Sequence, residues 1–471
     1  MLYVWFVLTA EAFGIVTAVV ALFRVRTSQG AIAWVVSLLT LPVLAVPAFW
    51  VFGRRRFQGY VTARRVHLKG MALEAEAVAA RYAALGLVDP PQDPADRLLV
   101  RLARLPFTRG NEAKMLVDGE ETFRSMLDGI DRAERYVLVQ FYILRDDRLG
   151  RALHERLEAK ARAGVRVYVL FDEVGSIGLP GSYTEALERA GAKVLPFNTR
   201  KGPANRFQLN FRNHRKLVVA DGVEAWAGGL NVGEEYLGRD RRFGPWRDTH
   251  VHVKGPAVVS LQVAFLEDWH WASGAGLDLA WDAPRVAEPG LRMLVLPTGP
   301  ADEVETLSLF FTDLIHHARH RLWIATPYFV PDDAVLSALV IAAMRGVDVR
   351  ILLPEKSDNR LVWLARFAYV EACERAGVKL FQYTRGFLHQ KVMVVDERFA
   401  TVGTANLDNR SLRLNFELTV LFDDPGFARE TAAMLSRDLE GAPPLTHADF
   451  VERGRAFGLL VRIANLFSPI L

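Results

Sequence analysis

Residues 213 to 231 read NHRKLVVADGVEAWAGGLN, and this stretch decides the fold. Short apolar runs, LVVA and EAWAG, flank Asp221-Gly222, so the segment predicts a β-hairpin. His214 and Lys216 stand two apart, and in extended backbone they share a face. Counting back from a turn centred between Gly222 and Val223 sets Asn231 opposite His214. The pattern returns in HQKVMVVDERFATVGTAN at 389 to 406, where His389, Lys391 and Asp396 repeat the His-x-Lys-x4-Asp of His214, Lys216 and Asp221. A turn between Glu397 and Arg398 there sets Asn406 opposite His389.

The flanking sequence is repeated as well. RYVLVQFYI at 135 to 143 matches RLWIATPYF at 321 to 329, and GVRVYVLFDEVGS at 164 to 176 matches GVDVRILLPEKSD at 346 to 358. AGAKVLPFN at 190 to 198 matches AGVKLFQYT at 376 to 384. Helical patterns such as LGRALHERLEAKARAG separate the strand-like runs, so the chain from Gly110 onwards predicts an α/β sheet built from a duplicated unit. The expected divisions are a first repeat at 111–275, a linker at 276–292, a second repeat at 293–440 and a C-terminal amphipathic segment at 441–471. The copies differ chiefly by an insertion, NTRKGPANRFQ, at 198 to 208.

Paired histidine, lysine and asparagine suit phosphoryl transfer. Lysine and asparagine neutralise and hydrogen-bond non-bridging phosphate oxygens. One histidine can attack phosphorus while the other protonates the leaving alkoxide and then deprotonates the incoming alcohol or water. With 11 histidines in the chain, a single chance match to His-x-Lys-x4-Asp is expected roughly 0.03 times. Two matches in matching units exclude accident. The lysines already supply positive charge, and no dense carboxylate or Cys/His cluster asks for a metal, so neither metal nor cofactor is expected.

The front of the chain is of another kind. The 471 residues are 51% hydrophobic and 24% charged, which excludes both a largely disordered chain and one made mostly of membrane spans. Residues 1 to 23 and 31 to 52 are apolar runs, each as long as the ~20 residues a membrane helix needs. They predict a two-helix hairpin over 1–56, spanning or re-entrant, followed by an amphipathic juxtamembrane connector over 57–110. Arg54, Arg55, Arg56, Arg64, Arg65 and Lys69 follow the second run, against Arg24 and Arg26 between the two, which places the large C-terminal part in the cytoplasm. A single cysteine, Cys373, excludes an intramolecular disulfide framework. A net charge of +4 suits an anionic membrane surface.

The duplicated His-x-Lys-x4-Asp, each followed by Gly-x-x-Asn, resembles the phospholipase D superfamily. Within it, NHRK at 213–216, GGLNVGEEYLG at 228–238, WRDTHV at 246–251 and GTANLDNRSLRLNFEL at 403–418 resemble the bacterial cardiolipin synthases. Gly229 stands where the superfamily usually has serine. The resemblance implies two pseudo-symmetric phospholipase D-like α/β/α repeats behind a membrane hairpin, multi-pass in the bacterial inner membrane. It implies transfer of a phosphatidyl group from one phosphatidylglycerol to another, giving cardiolipin and glycerol, with a phosphatidic acid-forming hydrolase as the alternative. His214 and His389 would be nucleophile and acid/base, with His214 the first choice as nucleophile; Lys216, Lys391, Asn231 and Asn406 would bind phosphate. Asp248 and Glu417 would orient the opposing histidines. Asp221 and Asp396 belong to the motif, although their place at turns fits a structural role equally. Nucleic acid is not an expected partner, and self-association into a homo-oligomer is left open.

Overall fold

A computed structural model of the chain describes residues 1–25, 27–53, 57, 59–61, 80–197, 210–282, 285–288 and 290–471. The insertion at 198–208 lies outside the described residues, as do Arg26, Arg54, Arg55, Arg56, Arg64, Arg65 and Lys69, on which the expected orientation rests.

Among the described residues one long sheet organises the protein. Its first half contains β1 Phe107–Val117, β2 Tyr136–Phe141, β3 Arg166–Asp172, β4 Lys193–Phe197, β5 Leu217–Ala220, β6 Glu224–Gly228 and β7 Thr249–Lys254. Its second half contains β8 Leu291–Thr298, β9 Arg321–Ala325, β10 Asp348–Pro354, β11 Lys379–Tyr383, β12 Val392–Val395, β13 Phe399–Gly403 and β14 Asn415–Asp423. The spatial order is β11-β10-β9-β12-β13-β14-β8-β1-β7-β6-β5-β2-β3-β4. Adding seven to each strand of the first half reproduces the second, read outward from the β8–β1 seam.

The strands are buried on both faces, so period two sorts their side chains between two layers. In β2, Tyr136 and Leu138 join one core and Val137, Val139 and Phe141 another. The first core is shared by both halves and includes Phe265 and Trp269 of the helix Ala257–Ser273 and Met434 and Leu435 of the helix Pro425–Leu439. On the opposite side, helices Asp118–Arg132, Arg148–Arg162 and Gly181–Arg189 cover the first half. Helices Thr306–His317, Asp333–Met344 and Phe367–Ala376 cover the second.

Two expectations need correction. The described C-terminal part of the connector, 80–110, packs into the folded body rather than standing as a separate juxtamembrane piece. Asp93 caps a helix, Pro94–Ala103, whose Leu99, Leu102 and Ala103 are buried in the core of the second half. Asp89 and Asp96 ahead of β1 ion-pair with buried Arg292 of β8, which also holds Asp423. The apolar stripe of Pro94–Ala103 is covered by the core of the second half.

The second apolar run is likewise not one helix. Helix α1, Leu2–Arg24, is long and apolar enough to cross a membrane, but residues 28 to 52 form two short helices, α2 Ser28–Thr40 and α3 Pro42–Phe52. Leu41 leaves helical geometry at φ −134° and ψ 56°, and Pro42 starts the next helix. Proline disfavours helical backbone at the residue before it, and it supplies no amide for the preceding turn. All three helices pack together through Ala18, Ala21, Leu38, Ala45 and Phe49. Gly14 permits the close crossing, because a Cβ there would lie 2.4 Å from the Leu38 carbonyl oxygen.

Candidate active site

Strands β5 and β6 form the expected hairpin, and β12 and β13 form its counterpart, but both registers differ from the expectation by one residue. Leu217 faces Ala227 and Ala220 faces Glu224, so the turn centres on Gly222. Val392 faces Val402 and Val395 faces Phe399, centring the other on Glu397. Each turn therefore holds three residues, and its first, Asp221 or Asp396, takes left-handed backbone at φ 56° or 53°. Aspartate tolerates that conformation, and a three-residue loop shifts the pairing by one relative to a two-residue loop. His214 extrapolates opposite Leu230, and Asn231 lies one residue further along.

The same turns remove Asp221 and Asp396 from the site. The Asp221 carboxylate accepts backbone amides of Glu134, Arg135 and Tyr136 at 2.7 to 2.8 Å. Asp396 accepts those of Arg319, His320 and Arg321 at 2.8 to 2.9 Å. Each carboxylate thus fixes the start of the neighbouring strand, β2 or β9, at the end of the hairpin away from the histidines.

The histidines are placed by two short parallel pairings. Arg212–Asn213 pairs with Asn415–Phe416, and Phe387–Leu388 pairs with Trp246–Arg247. Each histidine follows one of these strands and meets the acid that follows the partner strand. His214 Nδ1 lies 2.9 and 3.0 Å from the two oxygens of Glu417, and His389 Nδ1 lies 2.7 Å from Asp248 Oδ2. The carboxylates are therefore exchanged: the first half's histidine is held by the second half's acid, and the reverse. With Nδ1 engaged, Nε2 is the free nitrogen of each ring.

A second ring of donors holds the acids. Glu417 accepts from Thr404 Oγ1 at 2.5 Å, Ser411 Oγ at 2.8 Å and Asn415 Nδ2 at 3.1 Å. Asp248 Oδ1 accepts from the Thr249 amide at 2.8 Å. Gly229, which matches Thr404, must be small, since a Cβ there would lie 2.0 Å from Asp248 Oδ1. That contact accounts for glycine at a position where the superfamily usually has serine. Lys216 Nζ reaches the carbonyl of His214 at 2.6 Å, and Lys391 Nζ reaches that of His389. Asn231 accepts the Ile143 amide at 3.0 Å and donates to the Tyr236 hydroxyl at 3.0 Å. Asn406 is buried and its Oδ1 has no partner among the described residues.

The electrostatics follow from burial. Burial pushes the His214 imidazole down to about 4 against the pull of Glu417, and burial and Lys391 lower His389. Lys391 falls to about 8, and Lys216 falls well below its ordinary value, both through burial. Burial alone would raise the two acids, but Lys391 and His389 hold Asp248, and His214 and Lys216 hold Glu417, below the usual carboxylate range. The site thus has neutral imidazoles gripped by ionised carboxylates.

Sequence reasoning missed the aromatic wall. Tyr142 meets His214 edge-on with ring centres 5.0 Å apart, and Lys216 Nζ lies 5.5 Å from its ring centre. Trp246 lies 5.1 Å from His389. The duplication held the signal, because Tyr142 and Tyr328 occupy the same place in RYVLVQFYI and RLWIATPYF.

Comparison with known proteins now decides the family. The family model "Cardiolipin synthase, PLD-like domain" matches residues 311–439. Cardiolipin synthase A of Pseudomonas entomophila is 45% identical over 97% of this chain and 96% of its own length. The chain belongs to the cardiolipin synthase family. Cardiolipin synthase A of Pseudomonas fluorescens, also 45% identical, covers 100% of this chain and 98% of its own. Membership makes the protein a phosphatidyltransferase of the phospholipase D type. The fold is shared with a solved phosphatidylserine synthase of Haemophilus influenzae, at TM-score 0.59 and 17% identity over 80% of this chain and 100% of that one.

Proposed function

We propose that the chain is a membrane enzyme that joins two phosphatidylglycerol molecules into cardiolipin, with release of glycerol, through a covalent phosphohistidine. The exchange of carboxylates between the two histidines carries this reading. It leaves two Nε2 atoms free, one for each side of a phosphorus atom, with the rings locked in orientation. One Nε2 attacks phosphorus, a P–N bond forms, and the P–O bond to the glycerol headgroup breaks. The departing alkoxide takes a proton from the other imidazolium. The terminal hydroxyl of the second lipid then gives its proton to that imidazole, its oxygen attacks phosphorus, and the P–N bond breaks.

The pKa directions suit this sequence. A phosphodiester brings negative charge among two lowered lysines and two lowered histidines, so its arrival raises the proton affinity of all four. The acid form of one histidine is therefore created by the substrate. Lys216, Lys391, Asn231 and Asn406 supply the phosphate contacts in this reading.

The palindromic strand order supports two pseudo-symmetric repeats meeting at the β8–β1 seam. In the membrane, α1 crosses and the broken α2–α3 pair re-enters, since helices of 13 and 11 residues reach only about 20 and 17 Å. The catalytic body then lies on the cytoplasmic side of the bacterial inner membrane. The test is purified protein in phosphatidylglycerol vesicles with chromatographic and mass analysis of products. Cardiolipin and glycerol in equal amounts are expected; phosphatidic acid as the dominant product would overturn the transferase reading in favour of a hydrolase.

A further inference from the structure

Two arginines beside the site touch no carboxylate side chain among the described residues. Arg410 sits on the short helix Asn409–Arg413, four residues after Asn406. Its guanidinium donates to the Asn210 carbonyl at 2.7 Å, Asn210 Oδ1 at 3.1 Å and the Ile470 carbonyl at 3.1 Å. Arg212, two residues before His214, donates to the Phe211 carbonyl at 2.6 Å. Neither forms an ion pair among the described residues, and both are half-buried. Buried Arg215, Arg247 and Arg292 each meet a carboxylate within 3 Å.

The two guanidinium groups also lie near each other. Arg410 is held by the carbonyl and side chain of Asn210, two residues before Arg212, and Arg212 in turn stands two before His214, against which the Tyr142 ring packs. The nearby carboxylates are committed elsewhere. Asp172 accepts the amides of Val174, Gly175 and Asn213, and Asp408 accepts that of Ser411. Partly buried like charges held together without an anion are costly, and the arrangement is relieved only when an anion binds.

The matching positions of the other half carry no arginine. Aligning Gly228 with Gly403 and Asn231 with Asn406 places Glu235 at the position of Arg410, and Phe387 stands at that of Arg212. Glu235 is paired with Arg145 at 2.6 Å, and Asp358 accepts the Tyr328 hydroxyl at 2.6 Å on that side. At the matching positions the His214 side thus carries two arginines and the His389 side none. The phosphate at the reacting centre already has Lys216 and Lys391, so the arginine pair is surplus to a single phosphodiester. An acceptor phosphatidylglycerol, however, carries a second one, joined to its attacking hydroxyl by a three-carbon glycerol. Water and simple alcohols carry none.

We propose that Arg212 and Arg410 form a second anion subsite, which holds the phosphodiester of the acceptor lipid and so selects an anionic lipid over neutral alcohols or water. This rests on the cardiolipin-forming reading. The test gives wild type, Arg410→Gln, Arg212→Gln and Arg410→Lys phosphatidylglycerol vesicles containing 1-propanol and measures cardiolipin and phosphatidylpropanol in the same sample. Each glutamine variant is expected to lower the cardiolipin-to-phosphatidylpropanol ratio about tenfold, the loss of one charge-assisted contact, and Arg410→Lys to restore part of it. Because both products arise from one enzyme preparation, loss of folded protein lowers them equally and leaves the ratio alone. An unchanged ratio in both glutamine variants overturns the subsite. A wild type that makes phosphatidylpropanol but no cardiolipin overturns the underlying reading as well.

Discussion

Replacing Glu417 by glutamine tests the central geometry most sharply. The carboxylate accepts from Thr404, Ser411 and Asn415 and touches His214 Nδ1 at 2.9 Å. Glutamine has the same shape but only one acceptor oxygen, so four donors compete for it and its amide must donate. The imidazole then loses both the charge that stabilises its protonated form and the partner that keeps hydrogen on Nδ1. For charge centres about 4.5 Å apart and an effective dielectric of 20, the lost attraction is about 3 to 4 kcal/mol. Placed in the transition state, that is a factor of about 10² to 10³ in kcat. The assay is cardiolipin formation from phosphatidylglycerol, with thermal unfolding run in parallel to confirm that the variant is folded. A folded variant that keeps activity within about threefold of wild type would refute the view that Glu417 works through His214.

Three further outcomes follow from the same structure. His214 is lowered to about 4 and His250 to about 3, both by burial, and His389 is lowered as well, so below pH 6.5 the unfolded chain binds protons that the folded chain refuses. Stability is then complete above pH 6.5 and declines as pH falls, by about 2 kcal/mol at pH 5 for His214 alone; a Tm that is flat or rising between pH 7 and 5 contradicts this. Asp221→Asn weakens three amide contacts at 2.7 to 2.8 Å and is expected to cost about 1 to 3 kcal/mol by denaturant titration while kcat per folded molecule holds, whereas a selective loss of kcat would return Asp221 to the chemistry. Gly229→Ala drives a Cβ to 2.0 Å from Asp248 Oδ1, so His389 loses its partner and turnover falls about 100-fold without unfolding; normal turnover means that Asp248 can move without consequence.

Much of the site could be read from residue types and spacing, because a duplicated motif reports on itself. His214 with His389, Lys216 with Lys391 and Asp248 with Glu417 occupy matching places in two stretches that otherwise diverge. What escaped depends on geometry that spacing does not encode. A two-residue and a three-residue turn are both compatible with ADGVE, and only the left-handed Asp221 selects the longer one. The helix 94–103 has an apolar stripe that would suit a lipid surface equally well, and nothing local says that Arg292, nearly 200 residues on, waits for Asp89 and Asp96. The run 31–52 has the length and composition of one span, and Pro42 ends that reading through the backbone of Leu41 rather than through polarity. Arg212 and Arg410 look like ordinary surface charges until the fold denies them a carboxylate.

The exchange of acids also explains why the two halves form one body. Arg215, on the first half's motif, ion-pairs with Asp268 and donates to the carbonyls of Glu417 and Thr298 in the second half. Arg247, beside Asp248, ion-pairs with Asp438 of the last large helix at 2.7 Å. Pulling the halves apart would leave Glu417 and Asp248 as buried carboxylates without their imidazoles, and Arg215 without its cross-seam carbonyls. A buried charge stripped of its partner costs several kcal/mol, so each half is stable in this form only against the other. The arrangement has a catalytic consequence. On the proposed mechanism, neither histidine is oriented by its own half, so the two Nε2 atoms are aligned by the docking that builds the core. On the proposed acceptor subsite, the two halves then need to differ only at the periphery, where Arg410 stands at the counterpart of Glu235, for two similarly held histidines to serve two unequal lipids.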